Sequence, residues 1–468
     1  MTEKIWQLGA CETALAIRER KYSCLEVVQS AVDRLSTVNP DLNAVTVDLT
    51  KEALDAAKEA DLALSNGINP GPLYGVPITL KENIDLEGKA TTLGVSHFLN
   101  NVAPGDAPVV RSLKEAGAII IGQTNMPEFG LSWVTDNPLR GSTNNPWDPE
   151  RTPGGSSGGA AAAVAMGIGS IAHGNDLGGS LRYPSYCCGL ATIKPGFGRV
   201  PNFNPSFGAT RPISFQLMAV QGPIARSVAD VNLAFDVMSR RNILDPLWSP
   251  PLKNSILENP TLRIAKPDQL GDEVDISVKQ AIDTAAGFLS DAGFQVDTVK
   301  LPSVEETLEL WGTLLFTDIR VMQKEMIEDH GSEDIVSVIN FRLSKYPDAT
   351  LEDYVKALAR RIEVLQQWSI IMEDYPLILA PVSLEPPIGP QEDKESNERY
   401  QQILEAQRWL IAANFLGLPA ASVPTGISNG LPTGVQLIGR RYHETMCLDV
   451  AQVIEDRVGI LSHKLWEV

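Results

Sequence analysis

The sequence predicts an α/β fold built on a buried sheet. Three observations point there. Short apolar runs of β-type residues occur, each bounded by Gly or Pro; helical apolar spacings lie between them; and the composition is even, at 43% hydrophobic and 21% charged, with no long polar linker. At 468 residues the chain could hold two or three average domains, but the evenness reads as one unit spanning 1–468.

In chain order, residues 8–35 carry apolar positions at helical spacing (Ala14, Ile17, Leu25, Val28, Val32, Leu35), and residues 51–65 are Ala-rich and charged. The segment 8–65 therefore reads as helices packed outside the sheet. Strands are read at 76–80, 118–122, 377–380, 420–423 and 434–438. The first two fall in a core of about 70–225, and the last three in a return to the sheet over 376–468. Residues 200–222, rich in Pro, Asn, Ser and Phe, read as a long irregular loop walling a pocket. From about 275 to 375 the pattern is a mainly helical insert facing the pocket. Within it, the cluster Leu310, Trp311, Leu314, Leu315 and Phe316 reads as core before pocket. Residues 382–396, Pro-rich and then charged, read as a mobile surface loop.

A net charge of −19 disfavours a nucleic-acid groove or an anionic membrane surface as partner, since both would be repelled. There is no apolar stretch of signal-peptide length at the start and no run of about eighteen apolar residues later, which points to a cytoplasmic protein. The five cysteines (Cys11, Cys24, Cys187, Cys188, Cys447) are scattered and form no Cys-x-x-Cys pair, so reduced thiols are expected rather than a disulfide framework or a zinc site.

The chemistry concentrates in Gly154-Gly155-Ser156-Ser157-Gly158-Gly159 and in Asp176-Leu177-Gly178-Gly179-Ser180-Leu181-Arg182. Glycine beside serine leaves a hydroxyl open and backbone N–H groups unshielded, which are the nucleophile and the oxyanion donors that acyl transfer needs. A phosphate loop would require a lysine after the glycines, and none follows. A dinucleotide fingerprint over Gly167–Gly169 would need a preceding strand, but an Ala run stands there. Gly155-Ser156-Ser157-Gly158-Gly159 formally matches a nucleophile elbow centred on Ser157, yet the prolines at 146, 149 and 153 do not make a central strand. Its histidine would have to be His443 or His463, neither in a distinctive setting. Serine chemistry without histidine needs a lysine base. Lys81 ends an apolar strand, where desolvation lowers an amine's pKa; a salt bridge with Glu82 is the competing reading.

These residues resemble the amidase signature family of serine hydrolases. The likeness runs from Gly75 to Asn83, through Gly122 to Phe129 and Gly141 to Asp148, over the serine-glycine block to Pro195, and again over Ala412 to Gly439. The resemblance implies a single α/β domain with a large twisted mixed sheet wrapped by helices. It also implies a triad with Ser180 as nucleophile, Ser156 bridging after a cis peptide, and Lys81 as base, with the serines 24 residues apart. By the same resemblance the backbone N–H groups of Leu177, Gly178, Gly179 and Ser180 form the oxyanion hole. Asp176 and Arg182 brace the loop, Ser157 is a neighbour outside the triad, and Gly130, Leu131 and Trp133 lie at the substrate. The implied activity is hydrolysis of a small to medium carboxylic amide, aryl or apolar in its acyl part, with no metal or cofactor; homodimers are frequent in the family.

Two alternatives stand beside it: the A-type subunit of a glutamine-dependent tRNA amidotransferase, and a catalytically silent binding protein on the same fold. Against the former, Ser214-Phe215-Gln216-Leu217-Met218 replaces the Ser-Leu-Asp-Gln stretch common in transamidating members. Asn175 stands where the family commonly has threonine, with His173 close by.

Overall fold

The computed structural model describes residues 4–208, 210–251, 262–271, 273–346 and 349–467. Its eleven strands, counted among the described residues, form one mixed sheet: β1 (Val45–Asp48), β2 (Pro77–Lys81), β3 (Ile119–Thr124), β4 (Ile171–Asp176), β5 (Ala191–Lys194), β6 (Val220–Ala225), β7 (Arg263–Pro267), β8 (Gln295–Val299), β9 (Leu377–Pro381), β10 (Ala420–Ser428) and β11 (Leu431–Gly439). They lie in the order β1-β3-β2-β4-β6-β5-β10-β11-β9-β7-β8. β2 pairs in parallel with β3 and β4, and β10 pairs antiparallel with β11 and β5.

The strands read from sequence are those whose residues are apolar on both faces: β2, β3, β9, β10 and β11. β2 and β9 are buried at every position, as strands covered on both faces must be. The opening helices are Ala10–Arg18, Cys24–Leu42 and Thr50–Ser65, the first two separated by a break. Ser23 starts the second as a capping box, accepting from the Glu26 N–H while Glu26 returns to the Ser23 N–H.

Two loop expectations are corrected. Residues 200–222 contain the helix Ile213–Met218 and the start of β6. β6 is illegible in the sequence because Gly222 and Pro223 sit inside it, residues that normally keep a strand at an edge, although here it lies between β4 and β5. Nor is 382–396 a mobile loop. Val382, Ser383, Leu384 and Ile388 are buried, and buried Asp393 accepts a hydrogen bond from the Ser132 hydroxyl. The insert is mainly helical as expected, but β8 runs through it.

Candidate active site

Lys81 closes β2, an interior strand between β3 and β4, and is fully buried. Its Nζ lies 2.6 Å from Ser156 Oγ, 3.1 Å from Ser157 Oγ and 2.7 Å from Asn175 Oδ1. Burial lowers the ammonium's pKa to about 7, against a partial opposing pull from the Asp176 carboxylate. The Glu82 salt bridge does not form: Glu82 takes Arg140 instead, with Arg140 Nη2 2.6 Å from its Oε1. The Ser157 hydroxyl lies 3.4 Å from the Asn175 main-chain oxygen and makes no hydrogen bond to a histidine among the described residues. His443 bonds the Arg441 carbonyl and His463 packs on Trp466, so the elbow reading loses its base.

The two serines precede the helix Gly158–Ala165, and the Gly155-Ser156 peptide is cis. The glycines here do not leave the hydroxyls open, as expected from sequence, because Ser156 and Ser157 are buried. They let backbone approach backbone. A Cβ on Gly155 would stand 2.6 Å from the Ser132 carbonyl oxygen, and one on Gly159 would stand 2.6 Å from the main chain of Asn125.

Ser180 lies in the loop between β4 and the helix Arg182–Cys188. Asp176, at the end of β4, accepts the N–H groups of Gly179 (2.7 Å) and Leu181 (3.1 Å), and pairs with Arg182 at 3.0 Å with both side chains fully buried. Burial pushes this carboxyl up, but the Arg182 charge and the N–H donors outweigh it and hold it at about 2. Arg182 reaches on to Gln436 Oε1 (2.8 Å), the Leu410 carbonyl (2.9 Å) and Asn414 Oδ1 (2.6 Å).

The peptide units of the loop are fixed one by one. Trp311 Nε1 donates to the Leu177 carbonyl at 3.2 Å, and the N–H of that same unit, belonging to Gly178, makes no hydrogen bond among the described residues. The next unit is committed at both ends: Trp133 Nε1 donates to the Gly178 carbonyl at 3.1 Å, and the Gly179 N–H goes to Asp176. The Gly179 carbonyl accepts from the Tyr183 N–H at 2.8 Å, which leaves the Ser180 N–H unengaged among the described residues. Gly179 is thereby withdrawn from the expected oxyanion donors.

Ser180 opens into a cavity of about 50 Å³ walled by Gly130, Trp133, Trp311, Phe316 and Tyr400, with Leu131 and Arg342 also lining it. Trp311 and Phe316 are therefore core and pocket wall at once. Asn175 and Trp311 are the participants that sequence reasoning does not assign. Asn175 and His173 alternate along β4, a strand the apolar pattern does not reveal. His173 is buried, bonded to Gln221 at 2.8 Å, and its pKa falls to about 4 through burial.

Comparisons with known proteins place the chain in one family. The Amidase family model matches residues 26–448. An indoleacetamide hydrolase of Bradyrhizobium diazoefficiens is 48% identical, with 99% of this chain and 89% of that protein covered. The A-type subunit of the glutamyl-tRNA(Gln) amidotransferase of Moorella thermoacetica is 33% identical, with 97% of each chain covered. Among solved structures, a bacterial aryl acylamidase of the amidase signature family superposes with a TM-score of 0.84 at 26% identity, covering 98% of each chain.

Proposed function

The chain belongs to the amidase signature family, and from that we propose that Ser180, Ser156 and Lys81 hydrolyse the C–N bond of a small aryl- or arylalkyl-carboxamide through an acyl-enzyme. The observation that carries this reading is the buried Lys81 amine at 2.6 Å from Ser156 Oγ, its pKa lowered to about 7. Neutral Lys81 takes the Ser156 proton as Ser156 takes that of Ser180, and Ser180 Oγ bonds to the amide carbon. The N–H groups of Leu177, Gly178 and Ser180 hold the oxyanion, each such donor being worth a factor of about 100 to 1,000. The proton returns to the leaving nitrogen as the C–N bond breaks. Water, deprotonated by the same relay, then cleaves the ester and restores Ser180.

The aromatic walls of the cavity and the 48% identical indoleacetamide hydrolase support an aryl acyl group, and the more distant amidotransferase relative supports the alternative less well. The five free cysteines suit a reducing cytoplasm, and among the described residues no helix is long and apolar enough to cross a membrane. The test is intact-mass analysis after fluorophosphonate treatment, followed by peptide mapping. One adduct on Ser180, with amide hydrolysis by the chain alone, is the expected result. An adduct on Ser157, or hydrolysis only when a second protein is added, would replace the reading.

Trp311 is given two tasks, and one substitution separates them. Trp311→Phe keeps an aromatic wall but removes the N–H that holds the Leu177 carbonyl. We expect kcat to fall about tenfold for alkyl and aryl amides alike. A loss confined to KM for aryl amides would leave Trp311 as pocket wall only.

A further inference from the structure

A neutral lysine amine has two N–H donors and one lone pair, and it can act as a base only if the lone pair faces the proton it must take. Three oxygens surround the Lys81 amine: Asn175 Oδ1 at 2.7 Å, Ser156 Oγ at 2.6 Å and Ser157 Oγ at 3.1 Å. They are not equivalent. An amide oxygen can only accept, so Asn175 Oδ1 takes one N–H. The Ser157 hydroxyl proton points to the Asn175 main-chain oxygen at 3.4 Å, so the Ser157 oxygen is left to accept the second N–H. Both donors are then spent, and the lone pair is left for Ser156.

We infer that Asn175 is a positioning residue of the relay: through its side-chain oxygen, and through its main-chain oxygen on Ser157, it turns the Lys81 lone pair toward Ser156. Ser156 therefore donates its proton to Lys81 and presents its oxygen to the proton of Ser180, which fixes the direction of the whole relay. Without an obligate acceptor at position 175 the amine can rotate and donate to Ser156, and the relay then runs in neither direction. The inference rests on Lys81 acting as the base.

The other charged and titratable groups near Lys81 are Asp176, which is paired with Arg182, and His173, which is held neutral by burial. A new charge at 175 therefore acts on the lysine with little local competition. Two variants test the role. Asn175→Leu keeps the shape but offers no acceptor, and kcat on an arylacetamide is expected to fall about 10- to 100-fold with KM nearly unchanged. Asn175→Asp places a carboxylate against the amine, favours the ammonium, and should move the acid limb of kcat/KM upward by more than about one pH unit, with activity recovering at alkaline pH.

Wild-type kcat in Asn175→Leu, or an unshifted acid limb in Asn175→Asp, overturns the inference. Should Asn175→Leu fail to fold, the isosteric Asn175→Asp profile decides alone. Fluorophosphonate labelling of Ser180 separates the two levels. A wild type that labels and cleaves amides beside variants that match it removes the role of Asn175 only. A wild type that neither labels nor cleaves removes the amidase reading as well, and the inference with it.

Discussion

Lys81→Met is expected to give a protein that no longer hydrolyses amides and that loses ground in melting temperature to the wild type as pH rises from 7 to 10. The activity loss follows from removing the base, roughly a factor of 100 to 10,000. The pH dependence of stability follows from linkage. The amine has a pKa of about 7 when folded and 10.5 when unfolded, so below about 7 the folded state bears the full cost of burying it. That cost is on the order of 4 kcal/mol, it shrinks as pH rises from about 7, and it vanishes above about 10.5. Methionine removes that cost at every pH but leaves Asn175 Oδ1 and the two serine hydroxyls without their amine partner, a penalty of about 1 to 3 kcal/mol for each group left unsatisfied, so the two effects offset near pH 7 and the penalty alone remains near pH 10. Thermal melts of both proteins at pH 7 and pH 10 check the sign: the melting temperature of the variant minus that of the wild type should be lower at pH 10. In the wild type, activity is expected to fall as pH drops through about 7, where Lys81 would protonate.

Ser180→Ala is expected to abolish turnover by a factor of roughly 10⁴ to 10⁶ while leaving substrate binding nearly intact, because the hydroxyl makes no hydrogen bond that holds the loop, among the described residues. The loop keeps the Asp176, Trp133 and Trp311 contacts that shape it. Single-turnover kinetics with an aryl ester and equilibrium binding of an arylacetamide would separate the two quantities. Binding lost along with turnover would mean that the loop had collapsed, and the nucleophile assignment would need another variant to decide it.

Much of this site is legible in the sequence because its chemistry depends on residue type and order. A lysine ending an apolar run and two serines among glycines can be recognised without coordinates, and Lys81 and Ser156 do meet. The glycines stand out in the sequence for the wrong reason: their role is contact between main chains distant in sequence, which no local pattern records. Asn175 stands out in the sequence only as a departure from the family's threonine; its role escapes because β4 reads Ile-Ala-His-Gly-Asn-Asp, too polar and glycine-interrupted for an apolar run. The same holds for β6 with its internal Gly-Pro, and for β8, whose sequence Gln-Val-Asp-Thr-Val is polar enough to merge with the helices around it. The 382–396 segment looks mobile because its Pro and charged residues signal exposure, and only the tertiary structure shows Asp393 turned inward onto Ser132.

The reach of Arg182 has a consequence for how the enzyme comes into being. Lys81, Ser156 and Ser180 are all synthesised in the first two-fifths of the chain, but the groups that clamp Arg182, and with it the nucleophile loop, are Leu410 and Asn414 on the helix Arg408–Leu416 and Gln436 on β11. While the polypeptide is still emerging from the ribosome, Arg182 beside Asp176 lacks these partners, and the nascent enzyme is expected to be silent until residues 410–436 have been released and have folded back. A fragment ending at residue 400, which contains Lys81, Ser156 and Ser180, is expected to take no fluorophosphonate.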